Sequence, residues 1–148
     1  MRIRRSDISL AAPTNMAETT RDPVGREMTV RIRRAYDEPL PEDGYRVLVD
    51  RIWPRGRRRE TLQLGEWAGA LAPSDALRKW FGHDPGRWDE FQVQYRHELG
   101  RPDQARLLDQ LAERARTGTV TLVYSARDET HNQARVIADE IGRRFVRP

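Results

Sequence analysis

The stretch GYRVLVDRIWPRG, residues 44–56, decides the fold. Val47-Leu48-Val49 is a continuous β-branched and aliphatic run, too short for a helix and lacking the alternation of a half-exposed strand. Such a run suits a strand covered on both faces, as in a parallel sheet. Pro54 and Gly56 end it. A second run of this kind, TVTLVYS at 119–125, follows a long helical stretch. Two buried strands joined by helices predict a parallel pair, because such strands need a crossover connection.

Working outward, Thr29–Arg34 alternates. Val30 and Ile32 face one way and Arg31 and Arg33 the other, which predicts a half-exposed strand. Asp37–Gly44 holds Pro39, Pro41 and Gly44 and reads as a loop. Three helices are predicted between the second and third strands. Ser74–Phe81 has Ser74 as N-cap and Gly82 as stop. Pro85–Leu99 has Asp84 as cap and Trp88, Phe91, Tyr95 and Leu99 on one face. Pro102–Thr117 carries Leu107, Leu108, Leu111 and Ala115 as its stripe. A last helix is predicted over Thr130–Arg143. Trp80, Phe81, Trp88, Phe91 and Tyr95 are predicted to pack as core aromatics. The expected architecture is a single small α/β domain, with a mainly parallel sheet of three or four strands and helices packed on it.

Residues 1–27 mix Ser, Thr, Pro, Asn and charges without period, and are expected to be a disordered or loosely packed extension. The domain proper is then 28–148, with Met28 or Met16 as alternative start codons to Met1. The N-terminus has arginines but no sustained apolar stretch, so neither a signal peptide nor a membrane span is read, and a cytoplasmic location is the default.

The chain has 148 residues, one domain by size. Adding its 10 Gly to the 37% hydrophobic residues brings the apolar share to about 44%, near the globular average. There is no Cys, which excludes disulfides, thiolate catalysis and Cys-ligated zinc. With 27 Lys+Arg against 23 Asp+Glu the net charge is +4. Lys79 is the only lysine, a bias that a GC-rich genome produces without functional cause. Three His and no HExxH motif predict no metal site, and no GxGxxG or GxxxxGK[ST] run supports a nucleotide cofactor, so none is expected.

In open α/β sheets, ligands bind at the carboxyl ends of the strands. Here the second strand runs into Asp50-Arg51, then Trp53-Pro54-Arg55-Gly56. The third runs into Ser125-Ala126-Arg127-Asp128, then Thr130-His131-Asn132 at the start of a helix. If the strands are neighbours, these groups gather on one rim. Arg51, Arg55 and Arg127, helped by Asn132 and a helix N-terminus, would then grip an anion. His131 would move a proton, aided by Asp128 or Asp50. Plainer roles compete: Asp128 as a helix cap, Asp50 and Arg51 as a strand-end ion pair, His131 as an inert group atop the core. Lys79 and His83 are secondary candidates. The reading is an enzyme, or an enzyme-like binder, for a phosphorylated or carboxylated small ligand. The alternative is a nucleic-acid-associated or regulatory protein that uses the basic cluster Arg55–Arg59 beside Trp53.

Three stretches carry a resemblance: GYRVLVDRIWPRG (44–56), EWAGALAPSDALRKWFGHDPGRWDEFQVQYRHEL (66–99) and VTLVYSARDETHNQARVIADEI (120–141). In this order they resemble the YeaO-like group of domain-of-unknown-function family 488, over about 28–148. The resemblance implies a compact Rossmann-like domain of a bacterial cytoplasmic protein, without supplying an activity. Its motif positions are Asp50, Arg51, Trp53, Pro54, Arg55 and Gly56, then Lys79, His83 and Asp84, then Arg127, Asp128, His131 and Asn132. More distant relatives carry a Cys-His pair where this chain has Thr130-His131, so their thiol chemistry does not transfer.

Overall fold

The structure, a computed structural model, describes residues 17–21 and 27–146, with side chains from 29 to 144. Its strands are β1 (Ala17–Arg21), β2 (Glu27–Arg34), β3 (Tyr45–Leu48), β4 (Glu66–Trp67) and β5 (Val120–Tyr124), in the sheet order β1-β2-β5-β3-β4. The last four in that order run parallel, and β1 lies antiparallel along the outer edge of β2. The helices are α1 (Arg59–Leu62), α2 (Asp75–Phe81), α3 (Trp88–Leu99), α4 (Pro102–Ala115) and α5 (Gln133–Val146). The expected mainly parallel α/β architecture is therefore present. Of the stretch expected to be a loose extension, Ala17–Arg21 forms β1, while 1–16 and 22–26 lie outside the described residues.

The strand alternation sorts side chains onto two faces. Val30, Ile32, Val47, Val120, Leu122 and Tyr124 point into the main core, where they meet Phe91, Leu108, Leu111, Ile137 and Ile141 of the helices. Val49, just past β3, extends the ladder by donating its N–H to the Val123 carbonyl at 2.9 Å. The other face is covered by the chain between β3 and β4, where Leu48 and Val123 pack with Leu62, Trp53 and Leu64.

This second face corrects the reading of β2 as half-exposed. Arg31 and Arg33 are buried, as is Arg46 on β3. All three surround Asp43, which is 0% exposed: Arg46 Nη1 lies 2.7 Å from Oδ2, Arg31 Nη2 3.6 Å from Oδ1 and Arg33 Nε 3.8 Å from Oδ2. A buried carboxylate needs such partners. Its anchor is a single 3-10 turn, Pro41–Asp43, in the loop between β2 and β3. Gly44 follows at φ +64, where a Cβ would sit 2.4 Å from the Thr119 carbonyl oxygen that receives the Tyr45 N–H.

Helix limits follow their caps. Ser74 accepts the Leu77 N–H at 3.2 Å, and Gly82 ends α2 in the left-handed region. Pro85–Arg87 is a 3-10 turn rather than the first turn of α3, with Asp84 accepting the Gly86 N–H. The last helix starts at Gln133, not Thr130, because Asp128 draws the intervening residues into a turn of their own. Trp80 departs from the predicted aromatic core. It is 37% exposed, with the Arg87 guanidinium 5.1 Å from its ring centroid. Among the described residues no helix is long and apolar enough to cross a membrane.

Candidate functional site

β5 pairs with β3 along its length, Leu48 opposite Val123. The chain leaving each strand therefore emerges beside the other, at the carboxyl edge of a parallel sheet. A cleft of about 670 Å³ opens there. One wall is Asp50, Arg51 and Ile52 after β3. The opposite wall is Ser125–Asp128 with His131, Asn132 and Gln133. The remaining side is Ala72 and Pro73, Arg78 and Phe81 of α2, His83, and Phe91 of α3. The two polar loops expected to share a rim do so.

Asp50 is 8% exposed and ties the walls together. Its Oδ2 accepts the Ser125 N–H at 3.1 Å and the Ser125 hydroxyl, and its Oδ1 accepts from Gln133 Nε2 at 2.7 Å. Its carbonyl accepts from Trp67 Nε1 at 2.7 Å. Burial pushes the carboxyl up, against the hydrogen bonds from Ser125 and Gln133 that favour the charge. Both oxygens are engaged by protein donors, so Asp50 holds β3, β5 and the first turn of α5 in place. It forms no ion pair with Arg51. That guanidinium instead donates to the carbonyls of Pro73 at 3.1 Å and Ala72 at 3.4 Å, with Asp75 at 4.0 Å.

Asp128, not Asp50, is the carboxylate against His131. Its Oδ1 accepts the N–H groups of Thr130 and His131, each at 2.9 Å, and its Oδ2 lies 2.9 Å from His131 Nδ1. Burial raises its pKa, but these backbone and ring hydrogen bonds outweigh it and hold the carboxyl below its usual range. Asp128 is thus ionised at neutral pH and can only accept, so neutral His131 carries its proton on Nδ1 and keeps Nε2 as a bare acceptor. The Trp88 ring backs the imidazole edge-on, centroids 5.3 Å apart. The pair has the geometry of an oriented acid–base group.

The other candidates divide. Arg127 lines the cleft, and among the described residues no hydrogen bond or ion pair engages it. Asn132 also lines it, but its amide is taken up locally. Nδ2 donates to the Asp128 carbonyl at 2.9 Å, and Oδ1 accepts the Arg135 N–H at 3.3 Å, as an N-cap does. His83 lines the cleft at φ +59, in the left-handed region. Arg55 and Lys79 do not line it. Arg55 sits on the exposed turn after Pro54, where its carbonyl accepts from the Tyr36 hydroxyl at 2.9 Å. Arg78, Gln133 and the apolar lining from Ile52 to Phe91 escaped the sequence reading. Arg78 is one residue from Lys79, and helical phase alone decides which of the two faces the cleft.

The family model for DUF488-N3i, described as the inactive DUF488-N3 subclade, matches residues 29–147. The uncharacterized protein Rv3073c of Mycobacterium tuberculosis is 42% identical over 113 residues, covering 76% of this chain and 93% of the relative. The uncharacterized protein YeaO of Escherichia coli is 41% identical over 112 residues, covering 76% of this chain and 96% of the relative. No solved structure gives a significant match. The family model spans all three segments that carry the motif resemblance, and the chain belongs to the DUF488-N3i family.

Proposed function

We propose that this protein binds a small phosphorylated or carboxylated ligand in the cleft between the β3 and β5 loops, and holds it without turning it over. Arg127 carries this reading: a guanidinium lining a cleft, with no protein partner among the described residues, is a ready donor pair for an anion. Arg51 and Arg78 add positive charge to the same cleft, and His131 offers Nε2 beside them. The absence of any cysteine removes one route to covalent chemistry, and the inactive description of the family model supports binding over catalysis. The geometry of His131 and Asp128 then serves ligand recognition, with the Asp128 carboxylate fixing the orientation of the His131 ring in the cleft.

A second reading uses the surface cluster to track a nucleic-acid backbone. Arg55, Arg58 and Arg59 are exposed, and no ion pair engages them among the described residues. Tyr36, with the Arg34 and Arg57 guanidinium groups 5.2 and 5.8 Å from its ring centroid, extends the basic surface. Two variants separate the readings. Arg127→Ala should weaken binding of a small anion from a phosphate and carboxylate panel by about tenfold or more, the loss of one charge-assisted contact. Neutralising Arg57, Arg58 and Arg59 together should leave that binding unchanged. The reverse pattern, with duplex binding that falls across all sequences in the triple variant and a shallower salt slope, would establish the second reading.

A further inference from the structure

We infer that the occupant of the cleft is an organic anion with an apolar, ring-sized body, an aryl phosphomonoester or aryl carboxylate, rather than a bare inorganic ion. This rests on the reading of the cleft as an anion site. The volume of about 670 Å³ lies within the range of small-molecule sites and far exceeds what one phosphate group occupies. Arginine head groups account for only part of the lining. Phe81 and Phe91 belong to it as a stacked pair, centroids 4.4 Å apart at 26°, and Ala72, Pro73 and Ala126 continue the apolar surface.

Ile52 gives a second, independent observation. It follows Arg51 directly, lines the cleft and is 69% exposed, the most exposed large hydrophobic among the described residues. A bare anion would leave that side chain in water. A ring attached to the anion would cover Ile52 while its charged group met Arg127, and each square ångström of apolar surface so covered adds to affinity. An aromatic body can also make offset or edge contact with the exposed His83 ring, which lines the cleft.

Calorimetric titration of the full chain with phenyl phosphate, methyl phosphate and inorganic phosphate tests this. Phenyl phosphate should bind about tenfold or more tightly than methyl phosphate. Ile52→Ser should shrink that preference several-fold, and Arg127→Gln should weaken both esters. Equal affinity for phenyl and methyl phosphate would overturn the inference and leave the anion site standing. Failure of all three probes to bind would overturn the anion site itself.

Discussion

Asp50 and Asp128 line one cleft and answer pH in opposite directions, because one is dominated by burial and the other by donors. Asp50 holds its proton to higher pH in the folded chain than in the unfolded one. Its contribution to stability is therefore complete below the unfolded pKa and is lost as pH rises through the folded one. Asp128 has the lowered value, so its contribution is present above the unfolded pKa and is lost as pH falls through the folded one. From about pH 3 to about pH 7, the stability gap between wild type and Asp50→Asn should shift against wild type, and the gap for Asp128→Asn should shift in its favour. Denaturant unfolding across that range measures both, and parallel trends would contradict the assignment. Asp128 was one of two carboxylates that the sequence offered His131, and its being only three residues away is the local part of that reading. The bond from Gln133 to Asp50 was not, since 83 residues separate the partners and only the sheet order brings them together.

At the scale of elements, the caps were the legible part. Ser74 and Gly82 bracket α2 as their types predict. Ser74 also donates its hydroxyl to Glu98 Oε2 at 2.6 Å and its N–H to Oε1 at 2.8 Å, fixing the start of α2 against the end of α3. Ser74→Ala should cost about 1 kcal/mol or somewhat more in urea unfolding, since a cap and a tether are lost together. An unchanged midpoint would contradict the capping geometry. The two-residue β4 and four-residue α1 were not legible, because neither is long enough to show a period. The exposure of β2 was misread for a physical reason. An alternating apolar and arginine pattern looks the same whether the charged face meets water or a buried aspartate. What distinguishes the cases is Asp43, on a turn that carries no periodic signal.

For the molecule as a whole, the two β-branched runs were enough to read a parallel pair, and the pair was enough to bring residues 50–52 and 125–133 to one edge. The third side of the cleft depends on how α2 and α3 dock against the sheet, which no local pattern encodes. The arginines of the chain have several uses, among them burial around Asp43, the lining of the cleft, an exposed stretch at 55–59, and ion pairs between helices such as Arg96 with Asp139 and Glu140. On the proposed reading the cleft, and not the arginine stretch at 55–59, receives the ligand. Amide-resolved NMR titration of the full chain with phenyl phosphate tests it most directly. Saturable shifts are expected at residues 50–52, 78–83 and 125–133, abolished by Arg127→Gln. Shifts that instead centre on residues 55–59 and survive Arg127→Gln would contradict it.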